Sequence, residues 1–482
     1  MDNTIIDLKD WSEVKNSVFK DKDFDPFLSE TEKSDYHYNL GIYKDGDTIR
    51  TKSYVGIVRL VDQNKETIRD KNGEVFLKIS SRFGFDPFTM LDKVLGDEEY
   101  ESYVSGQKDD MLYELFVDQK PICINHEVEN GEKSSEKSFS LIEGNLMPAI
   151  TFVRLCTDIC RRQLKPQMQY QEENLTGKVK GKIVHSKNIR KNLIHGREDR
   201  IFCRFISQSI DTPENRILKA ALLKAEKIIS DSKKLNNLMN MCHYCRTALN
   251  KVKTVKITDK DFSGLHLTGY YAYYKGAVSV AKLLLSDNLS LSANYSENTG
   301  SKNIYIIPYV IKMEALFEFY IRAILKEKVE LYPKDGKPTD NKIYLHPYKP
   351  YSKLGGYRIL KQDIPKNTDY THLIKTFYPD IILEKDKKIY VYDVKYKYAE
   401  KASRSDTYQI LSYMLLLDTL KCGFIMPFLD EMKNNIENTD IKSMVLDSDN
   451  GKRYFENFFI KSDTGLQKIK DGEYELSIPA IV

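Results

Sequence analysis

The chain has one tryptophan in 482 residues, and its seven cysteines are scattered without an even pairing. An odd number of thiols spread over so long a sequence is not the framework of a disulfide-stapled secreted domain, so reduced cysteines are expected. No apolar run approaches the roughly 18 residues of a membrane span. The acidic start MDNTIIDLKD lacks the basic and apolar regions of a signal peptide, and a cytoplasmic protein is expected. Neither GxSxG nor HExxH occurs, so a serine-hydrolase elbow and a zincin have no support. Gly177-Lys-Val-Lys-Gly181-Lys182 superficially resembles a phosphate loop, but it has three intervening residues where four are needed and no Ser or Thr after the lysine. No nucleotide site follows from it.

Two cysteine groupings bear on metal binding. Cys242-His243-Tyr244-Cys245 has zinc-like spacing, yet no second pair follows at a suitable distance and NNLMNMCHYCRTALNKV reads as one helix. A structural zinc takes four ligands, so no metal is expected there. Cys156 and Cys160, one helical turn apart in ITFVRLCTDICRRQL, are expected to face a core.

What the chain does have is core-forming material. Hydrophobic residues make up 41% and charged residues 30%, with 32 tyrosines, the composition of a folded protein. A chain this long exceeds one compact core and implies two or three domains. The net charge of +4 says little, but its distribution says more. From Arg161 to Lys256 there are 22 Lys and Arg against 8 Asp and Glu, which makes that region a candidate footprint for phosphates or, alternatively, a lysine-rich solvated surface. Lys178, Lys180 and Lys182 are its candidate phosphate contacts.

The periodicity predicts an α+β, multidomain chain. Residues 1–145 alternate short β-like runs such as SYVGIVRL and EVFLKIS with polar turns, and GEKSSEKS at 131–138 reads as an exposed loop. Residues 146–303 turn mainly helical and basic, with Thr212 or Asp211 as N-cap and Pro213 at the first helical position of TPENRILKAALLKAEKII. Residues 304–482 form a third, α/β unit, opening with KMEALFEFYIRAILKEK and passing through a Gly/Pro/Lys-rich stretch at 333–366. A helix at about 405–420 and a strand at GFIMPF follow the central β-like stretch.

That central stretch is YPDIILEKDKKIYVYDVKYK, residues 378–397. Two apolar runs flank a polar turn, a hairpin pattern. If the hairpin is symmetric about the midpoint of 386 and 387, cross-strand partners have numbers summing to 773, which sets Asp380 opposite Asp393. Opposed residues share a face about 5 Å apart, and Lys395, two residues on, shares it too. Like charges placed so are destabilising unless something positive lies between them, and hard carboxylate oxygens suit Mg2+. The alternative is structural: Asp380 caps the strand end, Asp393 pairs with Lys395 or Lys397, and the face is solvated.

Pro379-Asp380 followed by Asp393-Val394-Lys395 resembles the PD-(D/E)xK nuclease signature. A helix with Met313-Glu314-Ala315-Leu316-Phe317-Glu318 precedes it, and Asp406-Thr407-Tyr408-Gln409 opens the helix after it. With Glu173-Asn174-Leu175, Lys180-Gly181-Lys182-Ile183 and Asp211-Thr212-Pro213-Glu214-Asn215-Arg216, the chain resembles the McrC family over about residues 150–425. The resemblance implies a C-terminal α/β nuclease domain with a mixed central sheet, and a metal-dependent endonuclease subunit that cuts modified, methylcytosine-type double-stranded DNA. It also implies an AAA+ GTPase partner of the McrB kind, which binds the GTP and docks on the β-rich N-terminal domain. Carried over by motif, Asp380 and Asp393 are metal ligands for Mg2+, or alternatively Mn2+, and Lys395 is the catalytic lysine. Glu318 matches an acid of the preceding helix, with pairing to Arg322 as its alternative, and Gln409 matches a polar residue near the site. The other functional reading is a non-catalytic adaptor that activates the GTPase through a vestigial nuclease fold.

Overall fold

The computed structural model describes residues 3–19, 25–28, 35–97, 100, 112–127, 141–232, 235–286, 301–331, 342–345, 379–385, 388–397, 403–416, 419, 421–428, 444–448, 451–455 and 458–461. The chain is a mixture of helices and several sheets that divides into two compact units, Met1–Glu114 with Tyr309–Val482, and Leu115–Pro308. The division does not fall at 145 and 303, where the sequence pattern changes, and there is a physical reason. Strand Tyr309–Lys312 pairs antiparallel with Tyr54–Arg59, so the C-terminal segment completes a sheet begun by the N-terminal one. Gly56 marks the contact, since a Cβ there would lie 2.1 Å from the Tyr309 carbonyl oxygen. Only glycine allows that approach.

This five-stranded sheet runs in the order Thr4–Lys9, Val75–Ser80, Tyr54–Arg59, Tyr309–Lys312, Tyr113–Leu115. Helix Pro87–Leu95 begins where Asp86 accepts from the Phe88 and Thr89 amides and Pro87 takes the first position. It packs against helix Met313–Leu331, and Phe85 meets Phe317 edge to face at 5.5 Å. The second sheet of this unit is mixed. Lys342–Leu345, Ile381–Lys385 and Lys388–Val394 are antiparallel neighbours, and Lys421–Phe428 then lies parallel to Lys388–Val394. The parallel pair requires a crossover, supplied by helix Arg404–Leu416. Its Ile410, Tyr413 and Met414 pack on Ile382, Val391, Cys422, Phe424 and Met426. The 333–366 stretch lies outside the described residues apart from Lys342–Leu345, as does the 131–138 loop.

The other unit has helices Leu141–Arg162, Pro213–Asp231, Asn236–Ala248 and Tyr274–Leu285 packed on one another. Thr212 is the N-cap of the second, accepting from the Asn215 amide. The pattern of helices hides one element. Gln167–Thr176 and Arg200–Ser209 form a long antiparallel hairpin, joined by Lys182–Ile183. Gly177 and Gly181, the glycines of the false phosphate loop, are both at positive φ in the chain between these strands. Among the described residues no helix is long and apolar enough to cross a membrane.

Candidate functional site

The hairpin pairs Ile381 with Tyr392 and Lys385 with Lys388, the register of the symmetric turn. Asp380, one residue before Ile381, falls opposite Asp393. Period two places Asp393 and Lys395 on the face of Val391, which packs with the 404–416 helix. Strand Lys388–Val394 is buried along Tyr390–Val394, as the centre of a mixed sheet must be, and Asp393 is only 1% exposed. Beyond the strand the Lys395 amide still donates to the Ile425 carbonyl, at 3.0 Å, so its backbone is held.

Two parts of the structural alternative are present. Asp380 Oδ2 accepts from the Val394 amide at 2.8 Å, and Lys395 Nζ lies 2.7 Å from Asp393 Oδ2. The third part, a solvated face, holds only in part, because Asp393 is buried while Asp380 keeps some exposure. Helix Met313–Leu331 brings Glu318 to them along with Arg322, which pairs with Glu318 and lies 3.8 Å from Asp380 Oδ1. The i+4 pairing of Glu318 and its approach to the aspartates therefore coexist. Asp406, in the first turn of the 404–416 helix, stands 3.9 Å from Lys395 Nζ and 2.6 Å from Lys397 Nζ.

Crowded carboxylates with little access to water hold their protons more tightly. Burial, then the charge of Asp380, pushes the Asp393 carboxyl up to about 7. Burial, then Glu318, pushes Asp380 up to about 6. Glu318 is raised by burial first, against the pull of Arg322 and with a further push from Asp393. Burial alone would lower Lys395, but the Asp393 carboxylate outweighs it and keeps the ammonium charged.

The donor chemistry fits a hard divalent cation. Asp393 Oδ2 is buried and accepts no well-angled hydrogen bond, its close neighbour being the Lys395 ammonium. Glu318, Asp380 and Asp393 do not close into a cage with one oxygen from each within 4.8 Å of the others; among the described residues the group that compact is Cys156, Cys160 and Cys245. The acids therefore suit an ion held by one or two carboxylates and otherwise by water, which is the habit of Mg2+.

The N-terminal segment frames the site. Ser81 Oγ and the Tyr396 hydroxyl are 2.9 Å apart, Arg82 donates to the Tyr396 carbonyl at 3.1 Å, and the Arg82 amide donates to Asp10 Oδ1 at 2.6 Å. Tyr396 is the residue after Lys395, and burial pushes nearby Asp10 up to about 6. Phe317 also meets the Tyr396 ring, at 5.4 Å. Gln409 is exposed and donates to the Tyr413 hydroxyl at 2.9 Å. It reaches the acids through Tyr413, whose hydroxyl is raised by burial and, further down, by Asp393 and Asp380. Lys178, Lys180 and Lys182 lie exposed in the other unit, Lys180 over the Phe205 ring at 4.1 Å. The sequence named Arg322 and Lys397 only as alternative partners of Glu318 and Asp393, and Asp406 only as the start of the helix after the motif, none of them as a site residue.

Among solved structures, the half-complex from a tetradecameric assembly of Thermococcus gammatolerans McrB AAA+ hexamers with bound McrC is 15% identical, over 98% of this chain and 100% of that one, with a TM-score of 0.35. The cryo-EM structure of the Thermococcus gammatolerans McrBC complex is 17% identical, over 69% and 90%, with a TM-score of 0.25. Scores of this size do not establish a shared fold. No match was found among curated proteins. The profile of the McrBC 5-methylcytosine restriction system component family, by contrast, matches residues 49–426, well over half of the chain and all of Glu318, Asp380, Asp393, Lys395 and Gln409. The chain belongs to that McrBC family, the one its sequence resembles on the McrC side.

Proposed function

We propose that the chain is the Mg2+-dependent endonuclease subunit of a modification-dependent restriction system. It cleaves DNA carrying methylcytosine-type bases together with an AAA+ GTPase of the McrB kind, whose GTP hydrolysis it stimulates. The observation that carries this reading is the convergence of Glu318, Asp380 and the buried Asp393 on the Lys395 ammonium. Like charges gathered with little access to water are costly as structure and intelligible as a cation and phosphate site. Membership of the McrBC family supports the partner, and the lack of a phosphate loop in this chain agrees with GTP being bound by that partner.

Asp380 and Asp393 would hold the metal, which when bound supplies Lewis-acid polarisation of the phosphodiester and a more acidic water. Lys395 Nζ, fixed between Asp393 and Asp406, orients the attacking water or neutralises charge gathering on the phosphate. Asp380 has a second task, since its bond to the Val394 amide fixes where the hairpin opens. Arg322 keeps Glu318 in place and offsets part of the negative charge. Lys178, Lys180 and Lys182 are proposed contacts to DNA phosphates.

The adaptor reading keeps one observation in its favour: the 2.7 Å contact of Lys395 with Asp393 gives both groups a partner without any cation. Incubating methylated and unmethylated plasmid with the chain, while omitting the GTPase partner, GTP and Mg2+ in turn, separates the two. Cleavage of methylated plasmid that needs all three is expected. A chain that stimulates GTP hydrolysis and never cuts would establish the adaptor instead.

A further inference from the structure

The tightest gathering of ligand-type side chains lies away from the acids, in the helical unit. Cys156 and Cys160 project from successive turns of helix Leu141–Arg162, and Cys245 meets them from helix Asn236–Ala248. Their three Sγ atoms all lie within 4.8 Å of one another. Cys156 and Cys245 are fully buried, and Cys160 is partly so. We propose that Cys156, Cys160 and Cys245 form a three-thiolate site for a thiophilic closed-shell cation, Zn2+ or Cu+, that ties the two helices together.

The geometry is the main ground. A metal bonded to sulfur at about 2.3 Å holds its sulfurs roughly 4 Å apart, so these thiols need only a small closure. The i, i+4 spacing puts two donors on one face of a single helix, and the packing of its neighbour delivers the third. The donor set is selective as well. It contains no carboxylate or imidazole, and all-sulfur sites choose soft ions over Mg2+ or Ca2+. Thr157 Oγ1 also lies 3.3 Å from Cys245 Sγ; it donates to the Val153 carbonyl at 2.8 Å, and would turn toward the sulfur to support a thiolate there. The CxxC-like pair of the sequence is not the site, because Cys242 stays outside the cluster although it is buried one turn earlier. A thiol cluster can also be plain packing, since buried cysteine behaves as a small apolar residue. The experiment must exclude that.

The full chain, purified reduced and stripped with chelator, is titrated with Zn2+ alone and, separately, with Cu+ alone under anaerobic conditions. One tightly bound ion per chain is expected with at least one of them, with sulfur neighbours in the X-ray absorption spectrum and protection of three thiols from alkylation. A light-atom fourth neighbour points to Zn2+, and a sulfur-only shell points to Cu+. Cys156→Ser, Cys160→Ser and Cys245→Ser should each weaken binding at least tenfold, while Cys203→Ser and Cys422→Ser, buried elsewhere, should not. The spectrum of the unmodified chain decides even if a variant misfolds. An oxygen-only shell, no retained ion of either kind, or a native Cys245 disulfide in place of a metal would overturn the proposal.

Discussion

Asp393 and Asp211 are aspartates with a basic side chain within 3 Å, yet burial pushes the first up to about 7 while the paired Arg216 holds the second well below the usual carboxylate range. The difference lies in what surrounds each pair. Asp211 is partly buried in the helical unit but fully bonded, accepting from Arg216 Nε and Nη2, both at 2.8 Å, and from the Lys253 amide at 3.0 Å. Glu172 of the same unit is likewise held down, by Lys187 and then Arg204. Asp393 has one ammonium and two other acids for neighbours, in a place that water does not reach. An acid bonded to cations and amides stabilises a fold and says nothing about chemistry. A buried acid among acids costs the fold something, and such costs concentrate at functional sites.

Removing the dry cluster should have the largest effect. Asp393→Ala or Lys395→Ala should lower plasmid cleavage by about 100-fold or more, the scale on which a positioned acid, base or charge acts. Stimulation of the partner GTPase should stay intact, and a variant that still cuts at the unmodified rate would break the comparison.

Next comes pH, where the two units should diverge. In chelator, folded Asp393 and Asp380 keep their protons to about 7 and about 6, against 3.8 for the free side chain. The folded state then binds more protons than the unfolded one between these values, so the site-bearing unit should lose stability as pH rises from about 4 to 7. Asp211 and Glu172 have the opposite sign. Their contribution is complete above the ordinary carboxylate range and is lost as pH falls through and below about 4. Hydrogen exchange, corrected for its intrinsic rate, should show strand Lys388–Val394 losing protection between pH 5 and 7.5 while helix Pro213–Asp231 holds steady. Asp393→Asn should flatten the first trend, and parallel trends in the two units would contradict the contrast.

Replacing Lys178, Lys180 and Lys182 with Gln sharpens the comparison on the basic side. Each lost phosphate contact should reduce the salt-dependence slope of duplex binding by about 0.9. A slope that does not change would remove these lysines from the DNA interface. The smallest effect is reserved for the Arg216–Asp211 pair: Arg216→Ala should cost about 1–3 kcal/mol by denaturant titration, the range of hydrogen bonds to charged groups, and leave cleavage unchanged.

Local features of this chain were legible in its sequence. The hairpin register follows from counting residues about a polar turn, and it alone placed Asp380 against Asp393. The cap at Thr212 and the helices at 236–248 and 313–331 were equally plain, because caps and periodicity act within a few residues. The join between Tyr54–Arg59 and Tyr309–Lys312 left no local trace, since a pairing across some 250 residues is decided by packing. The long hairpin of the helical unit was hidden for another reason. Met168, Tyr170 and Ile206 are large and apolar but exposed there, so its strands do not alternate as half-buried strands do. Arg322 reaches Asp380, and Asp406 reaches Lys395, only because of how two helices dock. The thiol cluster likewise depends on a meeting between two helices distant in sequence.

The way the chain passes from one unit to the other bears on the order in which it can fold during synthesis. The Lys312 amide donates to the Leu112 carbonyl at 2.8 Å, and the Phe116 amide donates to the Pro308 carbonyl at 3.0 Å, so the helical unit begins and ends at one doorway. A ribosome delivers that whole unit before the strand at 309–312, and the N-terminal strands must wait with an open edge beside Tyr54–Arg59 until it arrives. The inserted unit can fold on its own during the wait and bring its two ends together, which turns a very long loop closure into a short one. A chain in which a few glycines and serines bridge Phe116 to Pro308, keeping Tyr113–Leu115 and Tyr309–Lys312, should therefore still close the five-stranded sheet, and should do so sooner.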